Sequence, residues 1–143
     1  MMIREAEPRD AQAIERLYKE LLPNNLNTKV LGERIEEIQN NPNSFLLVCE
    51  IDQKVIGTAH LHICLDAFVE NRPFGVVERV IVTEHVQSKG YGSELMKYIE
   101  HLCIQRNCMK IFLTSGASRS EAHHFYEKLG YDGESSKAFK KYL

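Results

Sequence analysis

The sequence predicts a mixed α/β fold in a single domain, and three observations carry this prediction. The chain has 143 residues, which is enough to bury one hydrophobic core. Short apolar runs typical of strands alternate with stretches of helical periodicity along the chain. In the second half of the chain, a strand-like run, a glycine turn and an amphipathic helix follow one another. Since no repeat or low-complexity tract interrupts this order, we expect one domain over residues 1–143.

The first half of the chain predicts two helices between a short strand and a β-hairpin. The first helix ends at Pro23, and the second has Leu31, Ile35 and Ile38 as its inward positions. A hairpin signal, Asp-Gln-Lys at 52–54, separates two β-type runs. The predicted elements are a strand at 2–6, helices at 9–22 and 28–39, and strands at 44–51 and 55–65.

The second half predicts a strand, a helix, a strand, a helix and a final strand. A polar loop with a proline covers 68–74, and a helical apolar stripe runs from Leu95 to Cys103. Asp132-Gly133 marks a turn before the last strand. The predicted elements are strands at 75–83 and 108–114, helices through 95–103 and 118–129, and a strand within 131–143.

Composition excludes several classes of protein. The apolar and charged fractions, 43% and 27%, are typical of a soluble globular protein. With a net charge of −2 and no basic run beyond Lys140-Lys141, no nucleic-acid partner is expected. The apolar runs are too short for a membrane span and no signal peptide follows Met1, so we expect a cytoplasmic location without a membrane partner. The four cysteines form no C-x-x-C pair, which favours reduced thiols over a disulfide or zinc framework.

Residues 87–93, Gln-Ser-Lys-Gly-Tyr-Gly-Ser, predict a phosphate-binding turn. The first turn of a helix has backbone N–H groups without intrahelical partners, and the helix dipole adds partial positive charge there. Gly90 and Gly92 let the backbone approach a ligand closely, and Lys89 adds a full charge. The P-loop pattern is absent, and a dinucleotide fingerprint would need glycine at Leu95. An ordinary turn with helix-capping glycines is the alternative interpretation.

Residues 118–131 predict a short helix with well-defined ends. Ser118 and Glu121 match a capping box, and Gly130 suits the position after the last turn. Tyr126 lies on the apolar stripe of this helix. Considered alone, an inward tyrosine is more often a packed ring with a satisfied hydroxyl than a catalytic group.

Two motifs together resemble those of the GNAT superfamily of acetyl-CoA-dependent N-acetyltransferases. The strand 78–82 followed by the turn 87–92 is similar to the family's pyrophosphate loop, and 122–131 is similar to its late helix. The motifs have the expected separation, and the predicted element order covers essentially the whole chain. The resemblance implies a central mixed, mostly antiparallel sheet that is splayed between strands 4 and 5 and flanked by four helices.

The resemblance also implies which residues meet acetyl-CoA, the co-substrate of the family. Backbone groups of the fourth strand would bind the pantetheine and the acetyl carbonyl, and the amides of the turn would hold the pyrophosphate. The tyrosine of the late helix would lie beside the sulfur. The residues at these positions are Val80, Ile81, Val82, Gln87, Ser88, Lys89, Gly90, Tyr91, Gly92, Ser93 and Tyr126. No metal is implied.

Acetyl transfer to an amine needs a base, because an alkyl amine with a pKa of about 10.4 arrives mostly protonated. Glu78 is the candidate, since a carboxylate that interrupts an apolar strand is costly unless it is satisfied. It is expected on the same pleat face as Val76, Val80 and Val82. An ion pair with a neighbouring cation is the alternative for Glu78. A backbone N–H between Val80 and Val82 can stabilise charge on the thioester oxygen.

Tyr126 is the candidate acid for the leaving thiolate. A phenol with a pKa of about 10 that protonates a thiolate near 8.5 works uphill by about 1.5 units, or about 2 kcal/mol. Hydrogen bonding to the sulfur as charge develops is therefore the better description than full proton transfer.

The sequence indicates less about which residues bind the acceptor amine. His60 and His62 share one face of a predicted strand, where they face solvent, line an acceptor cleft or hold a metal, although no third ligand is identifiable. The residues Arg119, His123, Phe125 and Tyr126, together with Thr114-Ser115 before them, resemble the subgroup that contains aminoalkylphosphonate and related small-amine acetyltransferases.

Two classes of function stay open on the sequence alone, namely an acetylating enzyme and a non-catalytic domain that binds acetyl-CoA as a sensor. Intact Glu78, Tyr126 and turn residues favour the enzyme. Protein N-termini and lysines compete with small-molecule amines as acceptors. A weakly acidic chain without a long appended segment favours a small molecule. The family is often dimeric, so the resemblance allows a homodimer.

Overall fold

A computed structural model of the chain describes residues 1–68 and 72–143. These residues divide into two compact units, Met1–Phe112 and Leu113–Leu143, each of which is described by itself. The expectation of one domain over the whole chain stays a prediction. Residues 69–71 of the predicted loop at 68–74 lie outside the described residues.

Five strands form one sheet in the order β1-β2-β3-β4-β5. The first four are antiparallel neighbours. β5 is parallel to β4, since Gly75 N–H donates to the Lys110 carbonyl and Met109 N–H to the Pro73 carbonyl, both at 2.9 Å. These bonds lie at the start of β4, which extends beyond the short β5. Three antiparallel pairs and one parallel pair confirm the predicted mixed, mostly antiparallel sheet. The strands are β1 Met2–Glu5, β2 Ser44–Ile51, β3 Lys54–Cys64, β4 Phe74–Val82 and β5 Ile111–Leu113.

Helices α1 and α2 cover one face of the sheet, and α3 covers the other. Ile14 of α1 and Ile35 of α2 pack with Leu46 of β2 in one buried cluster. On the opposite face, Cys103 of α3 lies against Gly75 of β4. None of the described helices is long and apolar enough to cross a bilayer. The helices are α1 Ala11–Leu21, α2 Gly32–Gln39, α3 Tyr91–Gln105 and α4 Ser120–Lys128, with 3-10 turns at Pro8–Asp10 and Glu84–Val86.

The apolar stripe of α3 is buried as its periodicity predicts. Leu95, Met96 and Ile99 are fully buried, and Cys103 nearly so. Burial of one such Leu, Ile or Met side chain stabilises the fold by about 1.5–3 kcal/mol. The stripe therefore fixes α3, and with it the N-terminal turn of this helix, against the sheet.

Two predicted element starts are wrong. The second helix begins at Gly32 rather than at residue 28, because Val30 N–H donates to the Glu15 carboxylate at 3.0 Å instead of entering a helical turn. β5 begins later than residue 108, because Cys108 N–H donates to the Cys103 carbonyl at 2.8 Å and so closes the end of α3.

The predicted final strand within 131–143 is also wrong. These residues have no regular secondary structure, and all from Asp132 onward are exposed. The large apolar side chains Phe139, Tyr142 and Leu143 are not spaced at alternate positions. The segment therefore has no single apolar face of the kind that a half-buried strand needs.

The second unit contains α4, whose C-terminus is as predicted and whose N-terminus is not. Gly130 has φ +96° after the last turn. Its N–H donates to the Glu127 carbonyl at 3.0 Å and Tyr131 N–H to the Tyr126 carbonyl at 3.1 Å, which is a Schellman motif.

The predicted capping box of α4 is absent. The helix begins at Ser120 after an N-cap, Arg119, that makes no side-chain capping bond. Ser118 instead lies inside a tight turn before the helix, where its carbonyl accepts a hydrogen bond from Ser120 N–H at 3.1 Å.

The variant Gly75→Ala tests the close approach of α3 to β4. The added Cβ would lie 2.8 Å from Cys103 Sγ and 3.2 Å from Leu61 Cδ1. We expect a loss of about 1–3 kcal/mol in the free energy of unfolding, measured by urea denaturation. The control is Gly133→Ala, whose Cβ would have its nearest neighbour at 3.8 Å and which should stay within about 0.5 kcal/mol of wild type. Equal stability of both variants would contradict this packing.

Candidate functional site

The centre of β4 contains a β-bulge at Arg79. Thr58 of β3 lies opposite Ile81, whereas His60 lies opposite Glu78, so β4 has one extra residue between these pairs. Arg79 has φ +53°, a left-handed conformation that non-glycine residues rarely adopt. Such a conformation costs about 1–3 kcal/mol, and strained residues and bulges cluster next to active sites.

The bulge changes the predicted face of Glu78. The expectation that Glu78 shares a pleat face with Val80 and Val82 is wrong, because the extra residue reverses the alternation after Arg79. Glu78 shares its face with Ile81, while Val82 lies opposite Gly57 on the other face. Its predicted neighbour on the N-terminal side, Val76, does share the face of Glu78.

The Glu78 carboxylate is exposed and makes no hydrogen bond or ion pair with any described residue. Because it is exposed, the carboxylate does not carry the desolvation cost that its position in an apolar strand predicts. The ion-pair alternative for Glu78 has no support among the described residues. The carboxylate is free to meet a proton or a cationic group.

The Arg79 side chain lies on the same side of the sheet. Its guanidinium carbon is 5.6 Å from the centre of the Tyr18 ring on α1, a cation–π distance. Because α1 covers the face that carries Glu78, two consecutive side chains point to one side, which a regular strand does not allow. Burial raises the pKa of Tyr18, the charge of Arg79 opposes this shift, and that of Glu78 adds to it.

Two histidines lie beside Glu78 on β3. The rings of His60 and His62 are 4.0 Å apart between centroids. His60 Nε2 and Ser44 Oγ share a hydrogen bond of 2.7 Å. Burial, the neighbouring His62 and the charge of Arg79 lower the pKa of His60 to about 4. His60 is therefore a neutral group, half-buried under α1 and α2 rather than facing solvent. Among the described residues, no group of three side chains could hold a metal ion.

The turn predicted to bind phosphate lies directly before α3. Gly90 is the N-cap of the helix with φ +86°, and a Cβ added there would meet no atom within 4 Å. Ser88 also has positive φ, +66°. The first amide in the helical ladder is that of Glu94, which donates to the Gly90 carbonyl at 3.0 Å. The amides of residues 91–93 are therefore without intrahelical partners, and the space beside Gly90 is open, an arrangement that fits a pyrophosphate.

Three hydrogen bonds and one packing contact hold this turn and the residues just before it to β4 and α1. Gln87 Nε2–H donates to the Val82 carbonyl at the end of β4, at 2.8 Å. On α1, the Glu20 carboxylate accepts from Thr83 Oγ at 2.8 Å and from Glu84 N–H at 3.2 Å. The ring of Tyr91 packs beside Val82 against a buried cluster. The turn is thus preorganised, which lowers the entropic cost of binding a ligand.

Tyr126 lies in the second unit, half-buried on α4. Its ring makes edge contacts with Phe125 and Tyr131, at centroid distances of 5.1 and 6.0 Å. Its hydroxyl makes no hydrogen bond with a described residue. Burial raises the pKa of Tyr126, and the charge of Arg119 opposes this shift. An ordinary inward tyrosine has a packed ring and a hydrogen-bonded hydroxyl. Tyr126 has the packed ring, but its hydroxyl has no hydrogen-bond partner among the described residues.

Other residues of the second unit that the sequence singled out shape the turn before α4. His123 Nε2–H donates to the Gly116 carbonyl at 2.8 Å. Ser115 Oγ is buried and has no hydrogen-bond partner among the described residues. The histidine of the predicted subgroup pattern therefore closes a turn.

Comparison with known proteins assigns the chain to a class. The model of the acetyltransferase (GNAT) family matches residues 11–131. The chain therefore belongs to the GNAT acetyltransferase family, whose members are enzymes that use acetyl-CoA as co-substrate. This confirms the predicted family, enzyme class and fold.

Particular relatives share the fold at low sequence identity. Aminoalkylphosphonate N-acetyltransferase of Salmonella typhimurium is 24% identical over 129 residues, covering 90% of this chain and 83% of the relative. A solved protein of Agrobacterium tumefaciens strain C58 has a TM-score of 0.90 at 26% identity over the whole of both chains. Glucosamine-6-phosphate N-acetyltransferase from Arabidopsis thaliana has a TM-score of 0.84 at 23% identity, over 99% of this chain and 98% of that one.

Sequence reasoning missed the partnership of Tyr18 and Arg79. In the sequence Tyr18 has the spacing of an ordinary inward residue of a helix, and nothing local connects it with a strand some sixty residues away. The signal for the bulge is the polar pair Glu78-Arg79 within an apolar strand, because two consecutive polar residues break the alternation of a regular strand.

The low pKa of His60 predicts a loss of stability in weak acid. The folded protein keeps His60 neutral down to about pH 4, whereas the unfolded chain binds a proton below about 6.5. The unfolded state thus binds more protons within this window, so stability falls as the pH falls through it. Urea denaturation at pH 7 and pH 4.5 should show a smaller loss for His60→Gln, which cannot titrate but can still bond Ser44. Equal losses in both proteins would refute the buried, neutral state of His60.

Proposed function

We propose that this protein transfers the acetyl group of acetyl-CoA to the primary amine of a small molecule. The observation that carries the proposal is the unpaired Glu78 carboxylate at the β4 bulge, in a chain of the GNAT family. Aminoalkylphosphonate N-acetyltransferase, a relative that covers most of the chain, acts by its name on a small-molecule amine. Transfer to protein N-termini or lysines, and a sensor role without catalysis, are the alternatives.

The turn 87–93 would hold the pyrophosphate of acetyl-CoA. Support comes from the open space at Gly90 and the unpartnered amides of Tyr91, Gly92 and Ser93 at the start of α3. Backbone groups of Val80 to Val82 would bind the pantetheine and the acetyl carbonyl. The extra residue of a bulge is left without a regular ladder partner, so a backbone N–H there is available to the thioester oxygen.

Glu78 would act as the base, directly or through a water molecule. In the reaction the amine nitrogen forms a bond to the acetyl carbon while the carbon–sulfur bond breaks. The carboxylate takes the first proton from the protonated amine, which frees the nitrogen lone pair for attack. After attack the nitrogen loses a second proton, and the sulfur leaves as a thiolate that takes up one proton. An exposed carboxylate can exchange its proton with solvent after each turnover.

Tyr126 would donate a hydrogen bond to the sulfur. Its hydroxyl has no partner among the described residues, so it is available for this contact. Because burial raises its pKa, full proton transfer to a thiolate is further uphill than for a free phenol. A hydrogen bond that strengthens as negative charge develops on the sulfur needs no complete transfer.

Thiol-release kinetics with acetyl-CoA and a panel of amines test the proposal. We expect calorimetry to detect acetyl-CoA binding and thiol release to depend on a small primary amine. Binding without release, with small amines, lysine peptides and N-terminal peptides alike, would favour the sensor alternative. Release with peptides alone would favour a protein acceptor. Light scattering on the same sample tests the homodimer that the resemblance allows.

The variant Glu78→Gln should lower acetylation most at low pH. There the amine is almost fully protonated and depends on the base, whereas near its own pKa much of it is free. The measurement is kcat/KM for one amine between pH 6.5 and 9.5, compared with Glu33→Gln, which removes an exposed carboxylate from α2. A loss of equal size at every pH would argue for a structural or acceptor-binding carboxylate instead.

The variant Tyr126→Phe keeps the ring contacts and removes the hydroxyl. Acetyl-CoA affinity should be nearly unchanged, while kcat should fall about 100-fold, the low end for a positioned acid, because a thiolate leaves well. Calorimetry and thiol release on one preparation measure both quantities. Tyr98→Phe on α3 is the control for loss of a phenol hydroxyl. Wild-type turnover in Tyr126→Phe would remove this residue from the mechanism.

A further inference from the structure

We propose that Arg79 selects acceptor amines that also carry an anionic group, a carboxylate or a phosphonate. The inference rests on the proposed function, since it names the acceptor class of the same site. In this role Arg79 is a specificity-determining residue that binds the far end of the acceptor, while Glu78 meets the amine.

The bulge places two opposite charges side by side. Glu78 and Arg79 are consecutive, yet both lie on the side of the sheet that α1 covers. They form no ion pair with each other or with another described residue. An acceptor with an ammonium group at one end and an anion at the other complements both charges. The planar guanidinium suits this anion, because it binds a carboxylate or phosphonate through two parallel hydrogen bonds.

The backbone at Arg79 gives an independent argument for a role of its side chain. With φ +53°, this position is one that glycine occupies without steric strain. Arginine is strained there because of its Cβ, so the backbone conformation alone favours glycine. A side chain that interacts with a ligand explains why a strained position carries a long, charged group.

The Tyr18 ring, on which the Arg79 guanidinium stacks, also lines a cavity of suitable size. This cavity measures about 360 Å³, lies between α1 and α2, and is lined by Tyr18, Lys29 and Arg34 among others. This volume is in the range of small-molecule sites. Lys29 is paired with a carboxylate of α1 at 3.5 Å, and Arg34 with one of its own helix at 3.8 Å. Of these three cations, Arg79 is the one without a carboxylate partner in the described part of the chain.

A purely structural role is the competing explanation, in which Arg79 only stacks on the Tyr18 ring. The two explanations differ in what removal of the guanidinium does. Loss of a stacking contact changes stability and affects all acceptors alike. Loss of an anion-binding group changes the ratio between anionic and neutral acceptors.

The experiment compares four acceptors by thiol release. β-Alanine and aminoethylphosphonate carry an anion, propylamine is neutral at its far end, and diaminopropane is cationic. Wild type should prefer at least one anionic amine over propylamine in kcat/KM. In Arg79→Gly, which keeps the left-handed backbone, this ratio should fall about 10- to 100-fold, as expected for a charge-assisted hydrogen bond.

Two further variants sharpen the comparison. Arg79→Lys keeps the charge but not the planar fork, so its ratio should lie between those of wild type and Arg79→Gly. Arg16→Gln removes an exposed guanidinium from α1 and should keep the wild-type ratio. Thermal denaturation checks that each variant is folded.

Three results would overturn the proposal. They are a wild-type preference for propylamine or diaminopropane, an unchanged ratio in Arg79→Gly, and an equal fall of the ratio in Arg16→Gln. If no amine is acetylated, the proposed function fails by itself. Calorimetry with aminoethylphosphonate then decides on Arg79, since binding by wild type that is lost in Arg79→Gly supports the anion site, and absent or equal binding contradicts it.

Discussion

The bulge in β4 is the constraint on which the candidate site depends. A regular strand would send Glu78 and Arg79 to opposite faces and would keep the face of Glu78 continuous with Val82. One extra residue in the left-handed region brings both charged side chains to the side of the sheet that α1 covers. It also reverses which face each later residue of the strand occupies. The strain at Arg79 has to be offset by the sheet around it, and the paired ladder from β1 to β4 provides that support.

Burial separates the polar groups around the bulge. Glu78 and Arg79 are exposed and form no ion pair with a described residue. His60 lies under α1 and α2 and Tyr18 lies on the inner side of α1, and burial lowers the pKa of the imidazole and raises that of the phenol. A pair of bare charges thus stands beside neutral hydrogen-bonding groups. On the proposed function, these groups would meet a small polar acceptor.

How far the sequence predicts this molecule depends on how local each feature is. The stripe of α3, the glycine turn at its start and the helix end at Gly130 follow from residues within a few positions of one another, and these structural predictions are confirmed, while phosphate binding by the turn stays a prediction. The register of the bulge and the late start of α2 depend on partners elsewhere in the chain. Val30 is an example, because its amide is held by Glu15, and no helical pattern can reveal such a contact.

The two substrates of the proposed reaction also differ in whether their binding residues are close together in the sequence. The residues that would hold the pyrophosphate of acetyl-CoA lie in one continuous turn, where the contacts would come from backbone amides. The acceptor would meet side chains from α1, β3 and β4 that only the fold brings together. Substitution of a single one of these side chains would change the acceptor while the turn and its amides stay intact. A cofactor motif common to many enzymes therefore indicates little about the acceptor, whereas the two charges at the bulge, which form no ion pair with a described residue, predict its chemistry.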